Sequence, residues 1–531
     1  MRASSSRWPA AGAFAGVTRG LVGLSLALLA AATQAVADSP EPKAPLLELI
    51  PRLETYIAQG MAAFDIPGLS VGIVAGDTLV YAKGFGARRK GGEPVDPGTV
   101  FQIGSTSKAF LATTLAIAVD RGSFRWDDRI VDLDPEFRLM DPWVSREFRV
   151  YDIVAQRSGL PPYVNDIYAF LGFDRDAMIR SLRFVEPRTS FRSTFTYTNV
   201  THLEAGRLVA EAARVPGWED ALRADIFEPL GMAASSANAA AIEAAPNHAV
   251  GHRWTPDGTV EVPFTDLFPY NVDGAGAINS TVEDMAQWLR LQLGDGTVEG
   301  RQIVSAQNLA ATRTARIGIN EENAYAMGWA LQQTANGEIV WHNGGTLSFG
   351  AFVGFLPSKD IGIVVLTNAA NVGFPDAVGL WMLDRVLGNP ETDYAADKLK
   401  AATAAAEASA AHWDAPAASL PSDELARQTG AYRSDAMGRV TVSPEGDGLA
   451  MAFSSGAVIR LAPWKDGVFT ATLSPVGAFE TLARALGPDP LAVAQFQIDP
   501  SGAPNRLSLM LEDGQTYVFT REETTEPKDA E

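Results

Sequence analysis

Apolar residues recur at helical spacing from Leu46 to Phe64, and the period then switches to that of extended chain. Leu69-Ser70-Val71-Gly72-Ile73-Val74, the turn pair Gly76-Asp77 and Thr78 to Gly84 predict a β-hairpin. From Ser105 to about Met285 the pattern is mostly helical, broken by Pro- and Gly-rich loops such as Gly159 to Tyr163. Strand patterns return at Glu338 to Trp341, Ala351 to Leu356 and Ile361 to Leu366, followed by an amphipathic helix from Phe374 to Leu387. Early strands, a helical middle and late strands predict an α+β fold: one antiparallel sheet, interrupted by a mainly helical insertion and flanked by helices.

Past Tyr394 the pattern changes twice. Residues 394–421 are rich in alanine and read as a helical or loosely ordered linker. Short alternating runs then follow at Arg439 to Val442, Leu449 to Phe453, Val458 to Leu461, Val468 to Leu473, Val493 to Ile498, Leu507 to Leu511 and Tyr517 to Thr520. Asp447-Gly448, Asp466-Gly467 and Asp513-Gly514 separate several of them and favour hairpin turns. A small all-β domain, a barrel or a sandwich, is expected over 422–531.

Composition narrows the setting. The 531 residues carry a formal net charge of −20, which makes nucleic acid and anionic lipid poor partners. Residues 1–37 have the layout of a secretory signal: Arg2, Arg7 and Arg19, the apolar run Leu21 to Ala32, then Ala35-Val36-Ala37 before Asp38. The main domain is therefore expected over 38–393. With no cysteine, disulfides, a thiol nucleophile and a lipid anchor on cysteine are all excluded. An exported protein without stable membrane insertion, periplasmic or secreted, is the simplest expectation.

Ser105-Thr106-Ser107-Lys108 offers chemistry. Residues three apart share a helix face, so the Ser105 hydroxyl and the Lys108 amine can meet. Serine needs an adjacent base, and lysine serves only if its pKa falls from about 10.4. Burial in the apolar helix Ala109 to Val119, near the positive end of its dipole, acts in that direction. Tyrosine followed at +2 by asparagine can add a proton carrier and a carboxamide for substrate. Tyr163-Val164-Asn165 and Tyr197-Thr198-Asn199 both match. Two other patterns are weaker. Gly68-Leu69-Ser70-Val71-Gly72 lacks the strand-to-helix turn that a nucleophile elbow requires. His248 and His252 have metal spacing, but Pro246 and Gly251 argue against a helix to carry it.

Phe101-Gln102-Ile103-Gly104-Ser105-Thr106-Ser107-Lys108-Ala109-Phe110 resembles the active-site helix of the penicillin-recognising serine hydrolases. More narrowly it is similar to the branch with class C β-lactamases, D-peptidases and esterases (peptidase family S12-like). Arg157-Ser158-Gly159-Leu160-Pro161 and Ile226-Phe227-Glu228-Pro229-Leu230-Gly231-Met232 resemble stretches of the same branch, and the likeness spans roughly residues 45–390. In that family the Tyr-x-Asn element leads into a helix. Tyr197 does so and Tyr163 lies in a Pro-rich loop, so Tyr197 and Asn199 are preferred, with Tyr163 a cleft-lining aromatic. His342-Asn343-Gly344-Gly345 fits the family's basic residue, polar residue and glycine on a strand facing the serine. The resemblance implies an oxyanion hole from the backbone N–H groups of Ser105 and Gly345, with Asn199, His342, Asn343 and Gly344 orienting substrate.

Histidine is a departure from the lysine of many relatives and a weaker permanent charge near neutral pH. The expectation is an acyl-enzyme hydrolase of peptides or amides, D-residue-containing or protease-resistant ones favoured, needing neither metal nor organic cofactor. A carboxylesterase or β-lactamase of the same fold is the alternative, and a non-catalytic penicillin- or peptide-binding protein is another. The C-terminal domain resembles the lipocalin-like barrels appended to some relatives, where it would cap the cleft or join subunits into a homo-oligomer.

Overall fold

The structure, a computed structural model, describes residues 43–413, 420–500, 502–511 and 514–522. The expected signal segment and part of the alanine-rich linker lie outside these residues. Helix α1 (Lys43–Phe64) leads into strands β1 (Gly68–Ala75) and β2 (Thr78–Gly86). The chain returns to the same sheet as β3 (Ile317–Gly318), β4 (Asn323–Tyr325), β5 (Ala330–Thr334), β6 (Gly337–Gly345), β7 (Gly350–Leu356) and β8 (Ile361–Thr367). The order is β2-β1-β8-β7-β6-β5-β4-β3, antiparallel throughout. The first strands thus pair with the last, as the interrupted pattern predicts.

Strands β1, β7 and β8 are buried along their whole length, which explains their near-continuous apolar sequences. Successive side chains leave opposite faces of the sheet. Ile361, Ile363 and Val365 of β8 join one apolar cluster with α1 and with α4 (Phe374–Leu387), which follows β8. Val364 and Leu366 join the other, with the helical insertion that holds α2 (Ser107–Asp120) and α3 (Val200–Ala213). The sheet is therefore sandwiched between two helical layers. The insertion also contains a hairpin, His252–Thr255 with Gly258–Glu261, that the helical pattern had hidden. His252 lies on it, His248 makes a bridge to Val100, and neither lies on a helix. Ser70 sits inside β1, far from any strand-to-helix turn.

The alanine-rich stretch forms a continuous helix α5 (Tyr394–Trp413), which gives the linker more order than its composition required. Beyond it eight strands close into a barrel: β9 (Gly430–Ser434), β10 (Gly438–Glu445), β11 (Gly448–Phe453), β12 (Val458–Pro463), β13 (Val468–Leu473), β14 (Ala492–Ile498), β15 (Pro504–Met510) and β16 (Thr516–Arg521). Strand β9, not evident in the sequence pattern, closes the barrel against β16. Asp466 and Gly467 both have positive φ, 52° and 73°, as a type I′ turn demands. The β10–β11 turn sits one residue earlier than expected, with Gly446 at φ 59°.

The barrel docks on the helical insertion. Tyr517 meets Tyr168 edge to face with ring centroids 6.0 Å apart, and Phe453 meets Phe173 at 6.4 Å. Gly172 has φ 67° and lies under the Phe479 ring, where a Cβ would come within 2.7 Å of it. Phe479 is only 4% exposed, and full burial of such a ring contributes about 1.5–3 kcal/mol. At the end of α5, Trp413 packs on Trp464 of the barrel with centroids 5.4 Å apart.

Candidate active site

Three segments bring the chemistry together: the start of α2, the loop before α3, and the end of β6. A 3-10 turn, Gly104–Thr106, precedes α2. Glycine is required at two points where this turn meets the strand. Gly104 has φ 51°, and a Cβ on it would lie 2.7 Å from Gly345 N. A Cβ on Gly344 would lie 1.9 Å from Ile103 O. Such contact brings Gly345 beside Ser105. His342 to Gly345 form the last four residues of β6, which extends four residues beyond the strand pattern Glu338 to Trp341. Thr346 N donates to Phe349 O, so ladder alternation turns the Gly345 N–H away from β7. On that side β5 ends opposite Trp341, so no strand pairs with Gly345 there, and Gly345 and Ser105 line the same cavity.

Lys108 is fully buried, and its Nζ has three partners. They are Ser105 Oγ at 3.0 Å, Asn199 Oδ1 at 2.7 Å and Ala275 O at 2.9 Å. Burial pushes its pKa down to about 7, opposed by the negative charge of Asp166. A neutral amine has two N–H donors and one lone pair. Asn199 Oδ1 and Ala275 O can only accept, so they take the two donors, and the lone pair faces the Ser105 hydroxyl. The lysine is thus arranged to receive a proton from that serine.

Tyr197 lies under the lysine, whose Nζ is 4.8 Å from the ring centroid. Burial, then the neighbouring Tyr325, raise its pKa well above the ordinary value, while a hydrogen bond with Ser105 opposes them. The phenol is therefore protonated and suited to give a proton. A cavity of about 590 Å³ opens here, walled by Ser105, Tyr163, Tyr197, Asn199, Asn343 and Gly345. Tyr163 is 54% exposed on its wall, 5.5 Å from Tyr197 between ring centroids. The Asn343 carboxamide donates to Asp376 at 2.7 Å.

His342 does not line that cavity. It borders a smaller one of about 290 Å³ beyond Tyr197 and Phe195. Its Nδ1 is 2.6 Å from Asn343 O, which can only accept, so Nδ1 carries the proton and Nε2 accepts from Tyr325 Oη at 3.0 Å. Burial, then the Lys108 charge, push its pKa down to about 3. The basic residue expected here is uncharged.

Asp166, Ala275 and Lys398 are among the cavity residues that escaped the sequence reading. Asp166 Oδ2 accepts from Asn199 Nδ2 at 2.6 Å, which turns the Asn199 carboxamide oxygen toward Lys108. Its only signal was its place beside the rejected Tyr163-Val164-Asn165 match. Ala275 contributes a carbonyl, which any residue could supply. Lys398 reaches the cavity from α5, its stem over Gly373, from a segment expected to be only a linker.

The family model described as Beta-lactamase matches residues 53–386, and the chain belongs to that family of serine hydrolases. A second model, Domain of unknown function (DUF3471), matches 414–523. Unguisins hydrolase ungD' of Aspergillus campestris is 26% identical over 497 residues, 86% of this chain and 88% of its own. Penicillin-binding protein 4 of Amycolatopsis lactamdurans is 26% identical over 319 residues, 57% of this chain and 81% of its own. Among solved structures, the octameric penicillin-binding protein homologue from Pyrococcus abyssi shares the fold. Its TM-score is 0.58 at 21% identity, covering 89% of this chain and 100% of that one.

Proposed function

We propose that the chain hydrolyses peptide or amide bonds through an acyl-enzyme on Ser105. The observation that carries this reading is the Lys108 amine, buried beside Ser105 with its other two partners obligate acceptors. Ser105 Oγ attacks the carbonyl carbon and its proton passes to Lys108. The N–H groups of Ser105 and Gly345 receive the oxyanion, where loss of one donor costs about 2.7–4 kcal/mol. As the C–N bond breaks, Tyr197 gives its proton to the leaving nitrogen and recovers one from Lys108. Water then releases the acyl group by the same route in reverse. Asn199 and Asn343 orient the substrate, and His342 supports Tyr197 from behind.

An uncharged His342 supports peptides and amides over β-lactams, because no permanent cation stands at that strand position. The likeness to a hydrolase and to a penicillin-binding protein along most of the catalytic region supports the same choice. Esters are the second reading, since the same oxyanion site serves them. Substrates with D-residues or otherwise protease-resistant backbones, export guided by residues 1–37, and assembly into homo-oligomers complete the proposal. A fluorophosphonate or fluorescent penicillin probe with peptide mapping tests the nucleophile. A panel of nitrocefin, p-nitrophenyl esters and L- and D-peptides with free or blocked ends tests the substrate. Equal labelling of Ser105→Ala sinks the nucleophile, and dominant nitrocefin turnover sinks the peptide preference.

A further inference from the structure

We infer that the C-terminal barrel is a working part of the hydrolytic site, with Gln515 and Tyr517 as positioning residues for Asp166 and, through it, Asn199 and Lys108. The inference rests on the reading of Ser105 and Lys108 given above. The Tyr517 hydroxyl donates to Asn165 Oδ1 at 2.8 Å. The Gln515 carboxamide oxygen accepts from Asn165 N–H at 3.1 Å, and its Nε2 donates to Pro162 O at 3.4 Å. From the other side, Asn165 Nδ2 donates to Ser181 Oγ at 2.6 Å. Asn165 is 1% exposed, so these contacts hold it out of water.

What they hold is an unfavourable backbone. Tyr163 and Asn165 have φ of 53° and 58°, left-handed values that asparagine tolerates but an aromatic residue such as Tyr163 seldom adopts. Such a conformation persists only where the surroundings over-determine it. Much of what surrounds Asn165 comes from the barrel, more than three hundred residues further along the chain.

The next residue is Asp166. A carboxylate only accepts, so its bond to Asn199 Nδ2 fixes which end of that carboxamide meets Lys108. If the loop relaxes, the Asn199 carboxamide is free to reverse. It would then present N–H to the lysine lone pair and compete with the Ser105 hydroxyl. Displacing Asp166 also removes a negative charge from Lys108, which is otherwise faced by Tyr197, His202 and His342. Tyr163 faces Asp166 from the cavity wall. The barrel thus acts on the rate of chemistry rather than on substrate contact.

The test compares the full-length chain with Tyr517→Phe, with Tyr517→Phe/Gln515→Ala, with Asp166→Asn and with all three changes together. Turnover of a p-nitrophenyl ester and the rate of Ser105 labelling by a fluorophosphonate are measured against pH. The double barrel variant is expected to lose about tenfold or more in kcat. KM should stay within about twofold, and the acid limb should move to lower pH as it does in Asp166→Asn. Combined with Asp166→Asn, the barrel changes should add little, because both act through one contact chain. An unchanged kcat, or losses that multiply, overturns the inference. If the double variant unfolds at the assay temperature, Tyr517→Phe decides alone, since it deletes one hydroxyl and keeps the docked ring. A wild-type chain that neither turns over nor labels at Ser105 overturns the site reading itself, a result distinct from any difference among variants.

Discussion

Lys108 Nζ lies 3.0 Å from Ser105 Oγ, and every other partner of that nitrogen accepts hydrogen bonds only. The pair therefore acts as one unit. Ser105→Ala and Lys108→Met should each lower kcat by about 10³-fold or more, and the double variant should be little worse than either. Fluorophosphonate labelling should vanish in Ser105→Ala and slow by a similar factor in Lys108→Met. Rapid labelling of Lys108→Met would assign the base elsewhere.

The acid limb of the pH profile should belong to Lys108. Its pKa of about 7 is well below the ordinary lysine value, and the neutral form is the one that accepts the serine proton. Activity in kcat/KM should rise with pH through about 7 and fall about tenfold per unit below it. Asp166 opposes the effect of burial, so Asp166→Asn should shift this limb to lower pH while reducing kcat. The depressed pKa also means that the unfolded chain binds the extra proton. This one group therefore makes stability rise with pH from about 7 to about 10.4. A pH–rate series and urea titrations at several pH values check the two signs.

Gly344→Ala should separate fold from function. The added methyl would meet Ile103 O, a backbone atom, at 1.9 Å, so β6 must move away from the start of α2. Loss of oxyanion geometry should lower kcat by about 10²-fold or more, with KM changed much less. Thermal unfolding should show a folded protein. Wild-type turnover in this variant would remove Gly345 from the oxyanion role.

Tyr197→Phe should discriminate by leaving group. A protonated phenol matters most where the departing atom is a basic nitrogen, and little where it is a stable p-nitrophenolate. Anilide and peptide turnover should fall by about 10²-fold or more while p-nitrophenyl ester turnover falls far less. Equal losses on both would argue that Tyr197 serves structure or acts on the serine alone.

What could be read in the sequence follows how far apart the interacting residues lie. Ser105 and Lys108 share one helical turn, Tyr197 and Asn199 lie two apart, and His342 to Gly345 are contiguous, so local spacing exposed each set. Apolar periodicity likewise located α1, α4 and the long strands, because burial on both faces writes itself along the chain. Asp166 and Lys398 carry no such pattern. They reach the cavity from a loop and from a helix whose exposed alanine face gives no hint of what its first turn touches. Strands β3 and β4, two and three residues long, are too short for a period. Strand β9 has only Tyr432 and Ser434 buried and Arg433 exposed between them. The loss of charge at His342 was hidden too, because it depends on burial and on the nearby Lys108 charge.

Helix α5 joins the cavity to the barrel with its own reading frame. Lys398 near its start reaches the Ser105 cavity, and Trp413 at its end packs on Trp464. Twenty residues span about 30 Å, and each added residue turns one end by about 100° relative to the other. Substitutions along its exposed face should pass almost unnoticed. A single-residue deletion would break register at one end or the other, and seven inserted residues would restore the angle but not the distance. In this helix, length and phase carry the information that composition does not.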